Sequence, residues 1–179
     1  MFGEIRVKTL LTVVTALFLG GAAAQAQSFD PTIYHRLSSE FRSLNMPLDV
    51  INGGPRNNFT QVAGAADVSG QLWHVIPAED GHYRLTTMFR GDAMCLDVVN
   101  GGPRNNQTQL TPCGNFSGQL WRITNAGADR YRLTTMFRGG NFCLDVVNGG
   151  PDNNATHLVP CGDFSGQFWR LMPTGTRVE

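Results

Sequence analysis

Leu48-Asp49-Val50-Ile51-Asn52-Gly53-Gly54-Pro55 returns 48 residues later as Leu96-Asp97-Val98-Val99-Asn100-Gly101-Gly102-Pro103. After another 48 it returns as Leu144-Asp145-Val146-Val147-Asn148-Gly149-Gly150-Pro151. A fixed period of this length marks a fold assembled from repeated supersecondary units. Ser69-Gly70-Gln71-Leu72-Trp73 keeps the same spacing, recurring over 117–121 and 165–169. Setting 83–124 against 131–172 without gaps compares 42 pairs, of which 11 differ and 31 are identical. Three copies, at approximately 34–81, 82–129 and 130–175, account for nearly all of the chain after its first 26 residues.

Within a copy, β-forming residues alternate with clusters of Gly, Pro and Asn, the pattern of short strands between turns. In the second copy the expected strands are 83–88, 95–98, 108–111 and 120–123. Between the second and third lies Asn-Gly-Gly-Pro-Arg-Asn-Asn, where Gly and Asn reach the positive φ of a sharp reversal. Three copies of four strands predict twelve. A unit this small does not bury its own apolar face, so the three must share one core, which closes the sheet and removes its edges. The fold class is all-β, with pseudo-threefold symmetry. Trp73, Trp121 and Trp169 each open a strand-like run in which Val75, Ile123 and Leu171 share their face. Burying one Trp removes roughly 150–250 Å² from water, worth about 4–6 kcal/mol, so these Trp residues are read as core.

Composition agrees with a turn-rich fold: 21 Gly and 9 Pro stand among 179 residues. With 14 basic and 14 acidic side chains the formal charge is zero. That lacks the electrostatic footprint of a nucleic-acid or anionic-membrane binder. Arg6 and Lys8 precede the apolar run 9–24, and Ala24-Gln25-Ala26 places small residues where a signal peptidase cuts, so 1–26 reads as a secretory signal. The run is too short to span a bilayer, so no membrane span is expected in the mature chain. Residues 27–179 are expected to form one domain, secreted or periplasmic and monomeric.

Cys95 and Cys113 lie 18 apart, as do Cys143 and Cys161, while the aligned positions in the first copy are Pro47 and Ala65. Both partners are missing together, which pairing inside each copy predicts. Disulfides Cys95–Cys113 and Cys143–Cys161 are therefore expected, and with them an oxidising compartment. Free or metal-binding thiols are the alternative, disfavoured because no C-x-x-C spacing occurs.

Three Gln-x-Trp motifs, at Gln71, Gln119 and Gln167, the Leu-Asp-Val element before each turn, and the Cys pairs together resemble the ricin B-type lectin domain. That resemblance covers 34 to about 172 and implies a β-trefoil that binds carbohydrate without catalysing a reaction on it. It implies sugar contacts from Asp49, Asp97 and Asp145 in Leu-Asp-Val, from Gln61, Gln109 and His157 at the next motif position, and from Gln71, Gln119 and Gln167. Two family features are absent. The aromatic that stacks on the sugar is replaced by Ala63, Thr111 and Val159, and the Asn before Gln-x-Trp by Gly70, Gly118 and Gly166. Without a platform each site is expected to be millimolar or weaker, useful only when several engage one polymer.

Alternatives stand beside each assignment. The three Asp residues serve equally as acceptors for backbone N–H groups in the adjacent Asn-Gly-Gly turn. Phe59, Phe116 and Phe164 are potential replacement platforms, although packing against apolar neighbours is the favoured reading. Arg36, Arg84 and Arg132, and likewise Arg42, Arg90 and Arg138, would suit sugar carboxylates, but pairing with the repeated Asp residues or plain solvation is favoured. Asn58, Asn106, Asn115 and Asn154 open N-x-S/T sequences, read as turn composition.

His35, His74, His82 and His157 fall at four different repeat positions, and no nucleophile or metal-binding motif is present. No enzyme activity, metal or cofactor is therefore expected. The expected function is glycan binding, weak and possible at three sites. The rival is a trefoil scaffold with lapsed sugar sites that binds a protein, for example as a protease inhibitor.

Overall fold

The computed structural model describes residues 29–179; the signal expected over 1–26 lies outside them. The described residues form twelve strands. The first repeat supplies β1 (Ile33–Ser39), β2 (Leu48–Val50), β3 (Thr60–Val62) and β4 (Trp73–Pro77). The second supplies β5 (Tyr83–Thr87), β6 (Met94–Val98), β7 (Thr108–Pro112) and β8 (Trp121–Asn125). In the third are β9 (Tyr131–Thr135), β10 (Phe142–Val146), β11 (Thr156–Pro160) and β12 (Trp169–Arg177). The fold is a β-trefoil.

The strand count matches the sequence reading; the closure differs from it. Only the outer strands of each repeat join, as a six-stranded barrel ordered β1-β12-β9-β8-β5-β4, and each inner pair forms a separate hairpin. The Gly-rich turn closes each hairpin at its tip, and the hairpins meet one another through single bridges such as Phe59–Gln109 and Gln107–His157. In the second repeat each strand also shifts by one or two residues at an end from its expected range. β8 begins at Trp121 because residues Ser117–Gln119 close a turn in which the Leu120 N–H reaches the Ser117 carbonyl.

All three Trp residues are fully buried, as are Leu37, Leu85 and Leu133 on the barrel and Leu48, Leu96 and Leu144 on the hairpins. Each indole N–H donates to the carbonyl of its own repeat's hairpin Leu: Trp73 to Leu48 at 2.8 Å, Trp121 to Leu96 at 2.8 Å, and Trp169 to Leu144 at 2.9 Å. One side chain thus fills the core and ties a barrel strand to a hairpin. On the axis the hydroxyls of Thr60, Thr108 and Thr156 form a closed triangle with edges of 2.6–2.7 Å, all three residues buried. Phe29 is buried edge-on against Tyr83 and Tyr131, where β5 and β9 begin.

The disulfides Cys95–Cys113 and Cys143–Cys161 are formed. Each closes a hairpin; the first repeat lacks the staple but keeps the backbone bond beside it, Ala65 N–H to the Asn45 carbonyl, which Cys113 and Cys161 make to the carbonyls of Ala93 and Asn141.

Candidate functional site

Each repeat carries one cleft between its hairpin and the turn that leads into the Gln-x-Trp motif. Asp49, Asn52, Gln61, Asp67, Val68 and Gly70 line the first. Asp97, Asn100, Asn115, Phe116 and Gly118 line the second, and Asp145, Asn148, Asp163, Phe164 and Gly166 the third. The remaining wall comes from the next repeat round the barrel: Phe89 on the first cleft, Phe137 on the second and Phe41 on the third. The N–H of Phe137 donates to the Ser117 carbonyl, and that of Phe41 to the Ser165 carbonyl, which fastens neighbouring repeats together at the cleft.

At the cleft floor the carboxylates are held from two sides. Oδ1 of Asp49, Asp97 and Asp145 accepts the N–H of the following Val at 2.7–2.8 Å. Oδ2 accepts Nε2 of Gln71, Gln119 and Gln167 at 3.3, 3.1 and 3.0 Å. In the second cleft Thr111 adds a hydroxyl donor to Asp97 at 2.9 Å. The Asn-Gly-Gly turn does not contact these carboxylates. Its Gly53, Gly101 and Gly149 N–H groups are instead taken by the side chains of Asn57, Asn105 and Asn153 at 2.7 Å.

Gln71, Gln119 and Gln167 are buried, and their amides are spent inside the protein. Nε2 also donates to the carbonyl of Gly64, Pro112 or Pro160, and Oε1 accepts the N–H of Ala66, Gly114 or Gly162. Their observed place is behind the carboxylate, holding it, with no amide atom left to face the cleft. Gln61, Gln109 and His157 lie directly across the hairpin from Asp49, Asp97 and Asp145. Gln61 lines its cleft, whereas the second and third clefts are walled without Gln109 and His157.

The missing Asn has a steric cause. A β-carbon on Gly70 would stand 2.5 Å from Asp49 Oδ1, and on Gly118 or Gly166 it would run into Asp97 or Asp145. These glycines leave the space into which each carboxylate turns.

The arginines correct the favoured expectation of Asp partners. Arg36, Arg84 and Arg132 donate to the carbonyls of Ala66, Gly114 and Gly162 at 2.7–2.8 Å, bracing the turn beside each cleft. Arg42, Arg90 and Arg138 lie over Phe41, Phe89 and Phe137, each 4.1 Å from the ring centre, and donate to Asn153, Asn57 and Asn105. Phe59 is half-buried under Arg104. Phe116 and Phe164 depart from the packed reading, for they are 58% and 62% exposed.

Burial pushes the His157 imidazole below its ordinary 6.5, against the opposite pull of Asp145 and Asp152. His35, buried with an unpartnered Nδ1, is lowered for the same reason. Below about pH 6.5 the unfolded chain takes up protons that the folded chain refuses. The melting temperature is therefore expected to fall between pH 7 and 5, and His157→Gln, the residue of the other two repeats, to reduce that fall. Parallel thermal melts check this; identical slopes for both proteins would refute it.

A six-stranded barrel, three hairpins and three like clefts define a pseudo-threefold β-trefoil with a repeated surface site. The sequence model of the family described as ricin-type β-trefoil lectin domain-like matches residues 69–159, and the chain belongs to that family. Among solved structures it is similar to the designed 3-fold symmetric protein ThreeFoil, with 23% identity and a TM-score of 0.66 over 78% of this chain and 97% of that one. It is also similar to SeviL bound to asialo-GM1 saccharide, with 14% identity and a TM-score of 0.56 over 79% of this chain and 97% of that one. A third likeness is to the exo-β-1,3-galactanase 1,3Gal43A from Clostridium thermocellum, with 19% identity and a TM-score of 0.64 over 80% of this chain but 30% of that one. No curated protein sequence matches the chain.

Proposed function

We propose that the mature chain is a secreted, non-catalytic carbohydrate-binding module that engages a polymeric glycan through its repeated clefts. One observation carries the reading: the same cleft occurs three times, each with a carboxylate held by a backbone N–H and a buried glutamine. A carboxylate with its geometry fixed in advance accepts sugar hydroxyls without first having to be ordered. Each such bond nets about 0.5–1.5 kcal/mol, because the hydroxyl gives up a bond to water. Single-site affinity is then near millimolar, and repeated sites on one chain raise it by effective concentration. The family, SeviL with its bound saccharide and the galactanase support a sugar as ligand. The two disulfides fit an oxidising compartment.

Among the described residues no helix is long and apolar enough to cross a membrane. A glycan array with the mature protein tests the proposal. Binding is expected, with Asp97→Asn and Asp145→Asn each weakening it several-fold. No glycan signal, or one indifferent to both substitutions, would favour the rival protein-binding scaffold, whose support is the loss of the family's stacking aromatic and Asn.

A further inference from the structure

The three clefts are unequal in one respect. In the second and third repeats an exposed Phe ring stands at the cleft rim; the first has Val68 there, 43% exposed. Leaving more than half of a phenyl ring in water forgoes the burial that governs the rest of the core. The ring is nevertheless seated. A β-carbon on Gly114 would stand 2.5 Å from Cε2 and 2.9 Å from Cδ2 of Phe116, so the ring lies against the bare α-carbon, and Gly162 bears the same relation to Phe164. The seat is in turn fixed from below, since Arg84 and Arg132 hold the carbonyls of Gly114 and Gly162 at 2.8 Å, while Gln119 and Gln167 accept the N–H groups of the same glycines.

In the first repeat both halves of the device change together, Gly to Ala66 and Phe to Val68. Ala66 keeps the same backbone bonds, to Arg36 and Gln71. The glycine therefore serves the ring and not the turn.

We infer that Phe116 and Phe164 are the stacking platforms of the second and third clefts, making the chain two-sited for neutral pyranosides. This rests on the carbohydrate reading above. An aromatic face covers the C–H face of a sugar ring and supplies the apolar part of its binding, while Asp97 or Asp145 at the floor accepts hydroxyl protons. Charge sets the ligand class. Asp145 and Asp163 line the third cleft, Asp97 and Asn115 the second, and no Arg or Lys is among the residues lining either. The nearby arginines are engaged by loop carbonyls, Phe rings and Asn side chains. A carboxylated sugar would meet one or two like charges with no cation to offset them.

Affinity electrophoresis of the mature protein through gels containing galactan, xylan or polygalacturonate tests this, with melting temperatures confirming the fold of each variant. A neutral polymer is expected to retard the wild type, and polygalacturonate is not. Phe116→Ala and Phe164→Ala should each weaken retention about five- to tenfold and together abolish it. Gly114→Ala, which keeps the ring but removes its seat, should weaken it in part. Ala66→Gly with Val68→Phe should build a third platform and strengthen retention. A double Phe variant retained like wild type, while Asp97→Asn with Asp145→Asn is not, would overturn the platforms and leave the carbohydrate reading standing. Preferential retention by polygalacturonate would overturn the neutral class. No retention by any of the three polymers, with an empty glycan array, would remove both.

Discussion

Trp121→Ala is expected to lower the stability of the trefoil by about 3–5 kcal/mol, the usual range for emptying a buried aromatic site. Trp121 is fully buried, and its indole N–H is the recorded partner of the Leu96 carbonyl, so the substitution opens a cavity and strands an acceptor at once. At roughly 2–4 °C per kcal/mol for a domain of this size, the melting temperature should drop by about 6–20 °C. Trp121→Phe separates the two effects: most of the volume remains, and the loss should shrink toward the roughly 1–3 kcal/mol of an unsatisfied buried group. The same pair of substitutions at Trp73 or Trp169 should give nearly the same values, since all three indoles are equally buried and bonded to the equivalent Leu. Calorimetric melts decide this. A Trp121→Ala protein melting within a few degrees of wild type would mean the indole does not join barrel to hairpin as described.

Reduction of the two disulfides should have the second large effect. Each closes a loop of 18 residues, worth about 3 kcal/mol on the chain-entropy account. Losing both removes a large share of the roughly 5–15 kcal/mol that holds a typical domain together. Urea unfolding with and without dithiothreitol measures the total, and Cys95→Ser with Cys113→Ser apportions it. Hydrogen exchange should show where the loss begins. Cys113 and Cys161 anchor the turns that carry Phe116 and Phe164, so amides there should open before those of the first repeat, which has no staple to lose. A loss below about 1 kcal/mol would mean that the hairpin ladders alone hold these turns.

The architecture was largely legible in the sequence because a 48-residue period forces equivalent residues into equivalent environments. Three indoles at one phase of the repeat have to share an interior, and two cysteines missing together have to be partners. Division of the strands between barrel and hairpins was not legible, because it depends on where the turns between β1 and β2, and between β3 and β4, send the chain. For the candidate site, the family resemblance pointed to Asp49, Asp97 and Asp145 but not to what holds them. The turn amides thought available to them belong to Asn57, Asn105 and Asn153, a side-chain-to-backbone pairing four residues apart that alignment of the copies leaves unmarked. Phe41, Phe89 and Phe137 escaped notice as cleft residues because each serves the repeat before its own, and a comparison of like positions cannot say which copies touch. Gly114 and Gly162 did carry a usable signal in their joint change with the Phe two residues on.

The hydroxyl triangle of Thr60, Thr108 and Thr156 sets a rule for how this chain diverges. Away from the axis side chains mostly meet something other than their own counterparts, Arg56 with Asp152 being an exception, so one copy drifts without consulting the rest, as Phe59, Gln107 and Ala155 have done. On the axis every Thr faces two images of itself, and changing one leaves the remaining pair with an odd proton or an odd lone pair. Innovation at that point is collective, three substitutions or none, while the periphery is where the copies are free to become different from one another.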